Sequence, residues 1–102
     1  MIDLVVGATL VCALGASSVY VTPYREGVTF EFINPVAGPP KAQPAFCTVM
    51  VGDAPFQVYW FHTPTGPDLI GVIPPRGFHT DHEILLRRGH VGVIEVYREI
   101  MS

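Results

Sequence analysis

Charge is scarce in this chain. Of its 102 residues 15% are charged, and six Lys and Arg against nine Asp and Glu leave a net charge of −3. Arg25, Lys41, Arg76, Arg87, Arg88 and Arg98 are scattered, so no basic stripe is available to neutralise phosphates, and nucleic acid is not an expected partner. Cysteine is equally sparse, with only Cys12 and Cys47. Two cysteines do not make a disulfide-rich secreted scaffold, and the sequence reads them as unpaired, packing residues. Glycine-rich phosphate loops are absent, and no set of residues spells out a reaction. The chain is not an expected enzyme.

Apolar residues are what the chain has instead. They make up 49% of it, with a mean hydropathy of +0.38, which excludes a disordered polymer. The excess is concentrated in one run, residues 4–21, eighteen positions without a charge. At about 1.5 Å per residue a helix of that length covers roughly 27 Å, near the thickness of a bilayer core. Asp3 precedes the run, while Tyr20, Tyr24 and Arg25 follow it as interfacial residues. Pro23 would end the helix. Gly7, Ala8, Cys12 and Gly15 would let a neighbouring helix approach closely.

The run therefore predicts a single transmembrane helix over 1–22, a connector over 23–27 and a cytoplasmic domain beyond it, because Arg25 and Lys41 follow the span. A second reading makes the same residues a pair of buried strands, with β-branched Val5, Val6, Thr9 and Val11 in the first and Val19 and Val21 in the second. A secretory signal peptide is disfavoured by Asp3 in place of early cations.

Residues 28–102 read as a small all-β, sandwich-like domain. Val28, Phe30 and Phe32 alternate with polar residues at period two, as on a half-buried strand. Four prolines between 35 and 44 make the next stretch a loop, set at 35–45. Further strands are expected at 46–51, 56–61, 69–73, 78–86 and 91–97, separated by turn chemistry such as Thr63-Pro64-Thr65-Gly66-Pro67-Asp68. In 56–61 both faces are apolar, with Trp60 on one side and Tyr59 and Phe61 on the other. One face is expected to be buried and the other to meet a partner.

Asn34 after the Phe-rich strand, Val58-Tyr59-Trp60-Phe61, Gly66, Pro74-Pro75-Arg76-Gly77 and Arg88-Gly89-His90 come in an order that resembles the β domain of the von Hippel–Lindau protein, over residues 28–97. The resemblance implies a β sandwich and, in the family, recognition of a hydroxyproline-bearing peptide. His90 matches the histidine of that family's pocket. Leu86, Gly92 and Ile70 stand where the family has serine, tryptophan and tyrosine, so the hydroxyl-pairing groups and the aromatic wall are missing.

The remaining candidates for chemistry are few. His79 and His82 lie three apart with Asp81 between them, and residues so spaced point to opposite faces of a strand. His90 lies downstream, and a closed zinc site would need Cys47 or Glu83 to complete it. No metal site is expected, and His62, His79 and His82 are read as turn-capping or half-exposed residues.

Together these readings describe a non-catalytic accessory subunit of a larger membrane complex, photosynthetic or respiratory, with no intrinsic cofactor and only peripheral lipid or pigment contact. Its helix would pack among integral membrane subunits and lipid. Its β domain would dock through Phe56, Trp60 and Phe61, with Arg87 and Arg88 pairing with partner acids. The alternative is a soluble β-sandwich module that binds a peptide or protein, a virion accessory protein included, with residues 1–22 as core strands. A metal-dependent enzyme is a third, weaker reading.

Overall fold

The computed structural model describes residues 9–14, 17–35, 45–63, 66–80 and 83–99. Nine strands occur among them: β1 Thr9–Leu14, β2 Ser17–Tyr24, β3 Gly27–Ile33, β4 Ala45–Val51, β5 Ala54–Phe61, β6 Asp68–Ile73, β7 Phe78–His79, β8 Glu83–Leu86 and β9 Val91–Arg98. They form two sheets, one of five strands in the order β1-β2-β3-β9-β7 and one of four in the order β4-β5-β6-β8. Every pairing is antiparallel.

The expected N-terminal transmembrane helix is overturned. No helix among the described residues is long and apolar enough to cross a membrane. Residues 9–14 and 17–24 are instead β1 and β2, paired with each other and then with β3. The physical reason lies in side-chain periodicity. Ser17, Val19 and Val21 are buried while Ser18, Tyr20 and Thr22 are half-buried, which is the period of a strand with one face inward. Valine and threonine also lose rotamer freedom in a helix but fit a pleated surface. Single-pass membrane localisation falls with the helix, and the expectation of integral membrane partners rested on it. Cys12 lies on β1, and Gly7, Ala8 and Gly15, expected to pack that helix, lie outside the described residues.

The core sits between the sheets. Val28, Phe30 and Phe32 of β3 and Phe56, Val58 and Trp60 of β5 are all fully buried. Phe30 meets Phe56 with ring centroids 5.5 Å apart, and Phe32 meets Trp60 edge-on at 5.8 Å. Such tilted contacts suit the ring quadrupoles, and each fully buried aromatic contributes about 1.5–3 kcal/mol through area alone. Val19 and Val21 of β2, Val49 of β4, Ile70 and Val72 of β6, Leu86 of β8 and Ile94 and Val96 of β9 join them in the interior.

The stretch 78–86, expected as one strand, is two. Phe78–His79 pairs with β9 in the larger sheet, whereas Glu83–Leu86 pairs with β6 in the smaller. Thr80 follows β7 and donates its hydroxyl to the carbonyl of Glu95 at 3.1 Å. In the β4–β5 hairpin Gly52 has φ of +59° and Asp53 does not share it. That is the pattern of a two-residue type II′ connection, which glycine enters without steric cost.

Cys47 is disulfide-bonded. The sequence holds one other cysteine, Cys12 on β1, and β1 and β4, the edge strands of the two sheets, contact one another. The reading of Cys47 as unpaired is thereby corrected. Strands β1 and β4 are far apart in sequence and fall in segments assigned to different compartments, so their proximity was hidden.

Candidate interaction surface

With Phe56, Val58 and Trp60 turned inward, alternation turns Gln57, Tyr59 and Phe61 outward. The registers then arrange the outer face of the four-stranded sheet in rows. One row is Phe61, Leu69 and Leu85; the next is Phe46, Tyr59, Gly71 and Glu83; a third is Thr48, Gln57 and Ile73. Phe46 is 56% exposed, Met50 59%, Ile73 51% and Leu85 66%. These are large apolar side chains on a single face, and a contiguous apolar patch of this kind marks a contact surface.

The patch is internally ordered. Phe46 packs edge-on against Phe61 at 5.9 Å, and Tyr59 meets Phe61 at 5.6 Å. Tyr59 lies across Gly71, where a β-carbon would fall 2.1 Å from the ring. Gly71 therefore leaves the space through which the tyrosine reaches β8, and its hydroxyl donates to Glu83 Oε2 at 2.5 Å. Burial, then the bond and the charge of Glu83, push the Tyr59 hydroxyl up to about 12. It remains a neutral donor, and Glu83 is held at the margin of the patch.

Charge on the face is sparse. Strands β4, β5 and β6 carry one Asp or Glu and no Lys or Arg, and that acid, Asp68, is buried. Asp53 lies in the hairpin turn at one end. At the other end the outward alternation of β8 continues from Leu85 to the exposed Arg87.

Beside Arg87 lies a buried polar network that closes this end of the sandwich. Asp68 is 1% exposed. Its Oδ2 accepts from Asn34 Nδ2 at 3.2 Å and from Trp60 Nε1 at 3.3 Å. Its Oδ1 takes His62 Nδ1 at 3.0 Å and the Thr63 amide at 3.4 Å. Burial works to raise the Asp68 carboxyl, but the donors from Trp60, His62, Asn34 and Thr63 outweigh it and hold it below its ordinary value. Asn34 also donates to the Leu86 carbonyl at 2.9 Å, its amide donates to the His90 carbonyl, and its carbonyl accepts from the Gly89 amide. The Asn34 side chain thus ties the end of β3 to β6 and β8, and its backbone ties it to the β8–β9 turn. Arg88 Nη2 lies 2.9 Å from His62 Nε2 and 2.6 Å from Nδ1. The tautomer with the proton on Nδ1 serves Asp68 and leaves Nε2 to accept from arginine.

The sequence-derived residues separate accordingly. Phe56 and Trp60 are core residues with no exposed surface. Phe61 lies on the outer face, Arg87 is exposed immediately after β8, and Arg88 folds onto His62. Phe46, Leu69, Leu85, Met50 and Ile73 were missed, although each holds the outward position of an alternating strand. Asp68 and Asn34 were missed as a pair because they are far apart in sequence. His79 stacks near Tyr97 at 5.9 Å, His90 is exposed after the β8–β9 turn, and Asp81 and His82 lie outside the described residues. No group of three or more potential metal ligands occurs among the described residues. Of the positions compared with the hydroxyproline pocket, Ile70 and Leu86 belong to the core. The chain matches no protein-family model, no curated protein and no solved structure.

Proposed function

We propose that this chain is a protein-binding β-sandwich module and that its contact surface is the outer face of the four-stranded sheet. The single observation behind this reading is the concentration of Phe46, Met50, Ile73 and Leu85, each more than half exposed, on one nearly uncharged face. Water-exposed rings and aliphatic chains at this density are stabilised when a partner covers them. The partner is a protein segment of matching chemistry. It carries apolar side chains over the Phe61–Leu69–Leu85 row and a carboxylate that meets Arg87.

The reading is one of binding, and the Asp68–His62 pair is given a structural role. Both carboxylate oxygens already receive donors, and Arg88 Nη2 lies within hydrogen-bond distance of both ring nitrogens of His62. The disulfide supports an oxidising setting for the protein, where such bonds persist, in place of the cytoplasmic one first expected.

The test is selection of displayed random peptides on the disulfide-intact chain. Selected peptides are expected to combine aromatic or aliphatic residues with an acid. Leu85→Lys is expected to weaken them by about tenfold or more, and Arg87→Glu severalfold. Peptides that bind the wild type and Leu85→Lys equally would place the site elsewhere.

A further inference from the structure

Among the described residues β4 pairs with β5 on one side and with no strand on the other. Natural sheets protect such edges with charge, proline or very short strands. The opposite flank of the molecule follows that rule. There β7 has two residues, and β8 carries Glu83 within it and Arg87 immediately after it. The β4 flank does not. Ala45–Val51 has seven residues with no proline and no charged side chain, and its neighbour β1, Thr9–Leu14, has none either. Exposed Phe46 and Met50 stand on its outer side, 56% and 59% exposed.

The side chains of this strand are disposed almost symmetrically about one residue. Phe46 and Met50 flank Thr48 at equal distance on the outer face, and Cys47 and Val49 flank it on the inner. An antiparallel partner strand of the same sequence, centred on Thr48, would set Phe46 against Met50 twice and Thr48 against its own copy. Ring–thioether contacts and a threonine–threonine pair are favourable neighbours across antiparallel strands. Electrostatics favour the same flank. Each chain carries a net charge of −3, so two copies repel in general. The flank formed by β1 and β4 is the one where two copies approach without bringing an ionised strand residue against its own image.

We infer that two copies of this chain associate through β4, antiparallel about Thr48, so that their smaller sheets join into one continuous sheet of eight strands. The inference shares Phe46 and Met50 with the peptide-binding reading, but it uses the strand edge and leaves the Phe61–Leu69–Leu85 row open, so Leu85→Lys separates the two.

The test is sedimentation equilibrium of the full, disulfide-intact chain over a concentration series. The wild type is expected to approach double its 11.1 kDa mass. Thr48→Lys and Thr48→Glu are each expected to fall to the single mass with an unchanged far-UV spectrum, since charged residues are normal at strand edges. An equimolar mixture of the two is expected to recover the double mass, because the axis places Lys opposite Glu. A monomeric wild type overturns the inference. So does a dimer that both Thr48 variants retain, or one lost on Leu85→Lys alone, which would move the contact to the outer face.

Discussion

Asp68 joins several parts of the fold through one buried carboxylate. It opens β6, yet it gathers donors from β3, β5 and the segment after β5, and through Asn34 it touches the turn that returns the chain to the larger sheet. Its ionised form is the one these donors fit, so its carboxyl lies below the ordinary 3.8. A depressed acid contributes stability that is complete above its unfolded value and is lost as pH falls through the folded one. The wild-type melting temperature is therefore expected to drop as pH goes below 3.8. Asp68→Asn is expected to cost about 3 kcal/mol at neutral pH, by turning an amide toward donors it cannot satisfy, and to flatten the acid limb. Calorimetric melts of both proteins from neutral pH downward check the sign. Equal acid sensitivity in the two would remove Asp68 from this role. Little of this was legible beforehand. Trp60, His62 and Asp68 invite no association in a linear reading, because the network exists only once β3, β5 and β6 have been brought to one end of the sandwich.

At the scale of the element, periodicity proved a better guide than length. Alternation in Val28–Thr29–Phe30–Glu31–Phe32 marked β3 correctly because its two faces differ in kind. The same test applied to Ser17–Tyr24 gives buried Val19 and Val21 on one side, but Tyr20 and Thr22 on the other are themselves fairly apolar, and the contrast vanished into an uncharged run. Length then favoured a membrane span. The break between β7 and β8 was hidden for a different reason. Both pieces carry strand-forming residues, and only pairing with different sheets distinguishes them. The strand assignment of β2 has a direct consequence. Val19→Ala removes two buried methyl groups from a residue with no exposure and is expected to cost about 2 kcal/mol in urea unfolding. Tyr20→Ala, one residue away on the outer side, is expected to cost less than Val19→Ala. A reversed order would mean that β2 is turned over relative to the core.

For the whole molecule the decisive question is how two sheets of modest size stay together. A chain near 100 residues buries only about two-thirds of its unfolded surface, so its own core leaves a narrow margin. Three devices add to it here: the Phe30–Phe56 and Phe32–Trp60 contacts, the Asn34–Asp68 tie at one end, and the disulfide along the β1–β4 flank. The first two act only when the fold is complete. The bond from Cys47 acts on the unfolded chain as well, by closing a long loop, and such closures contribute about 2–4 kcal/mol. It also fixes the flank whose uncharged strand is left open to a second copy. Reduction is therefore expected to lower the melting temperature by on the order of 10–20 °C. A Cys12→Ala, Cys47→Ala double variant is expected to melt at the reduced protein's temperature and to be indifferent to reductant. Melts with and without dithiothreitol, paired with a thiol titration of the denatured wild type, decide it. Free thiols in the untreated protein, or a melt unmoved by reduction, would mean that the sheets are held by packing and the Asp68 network alone.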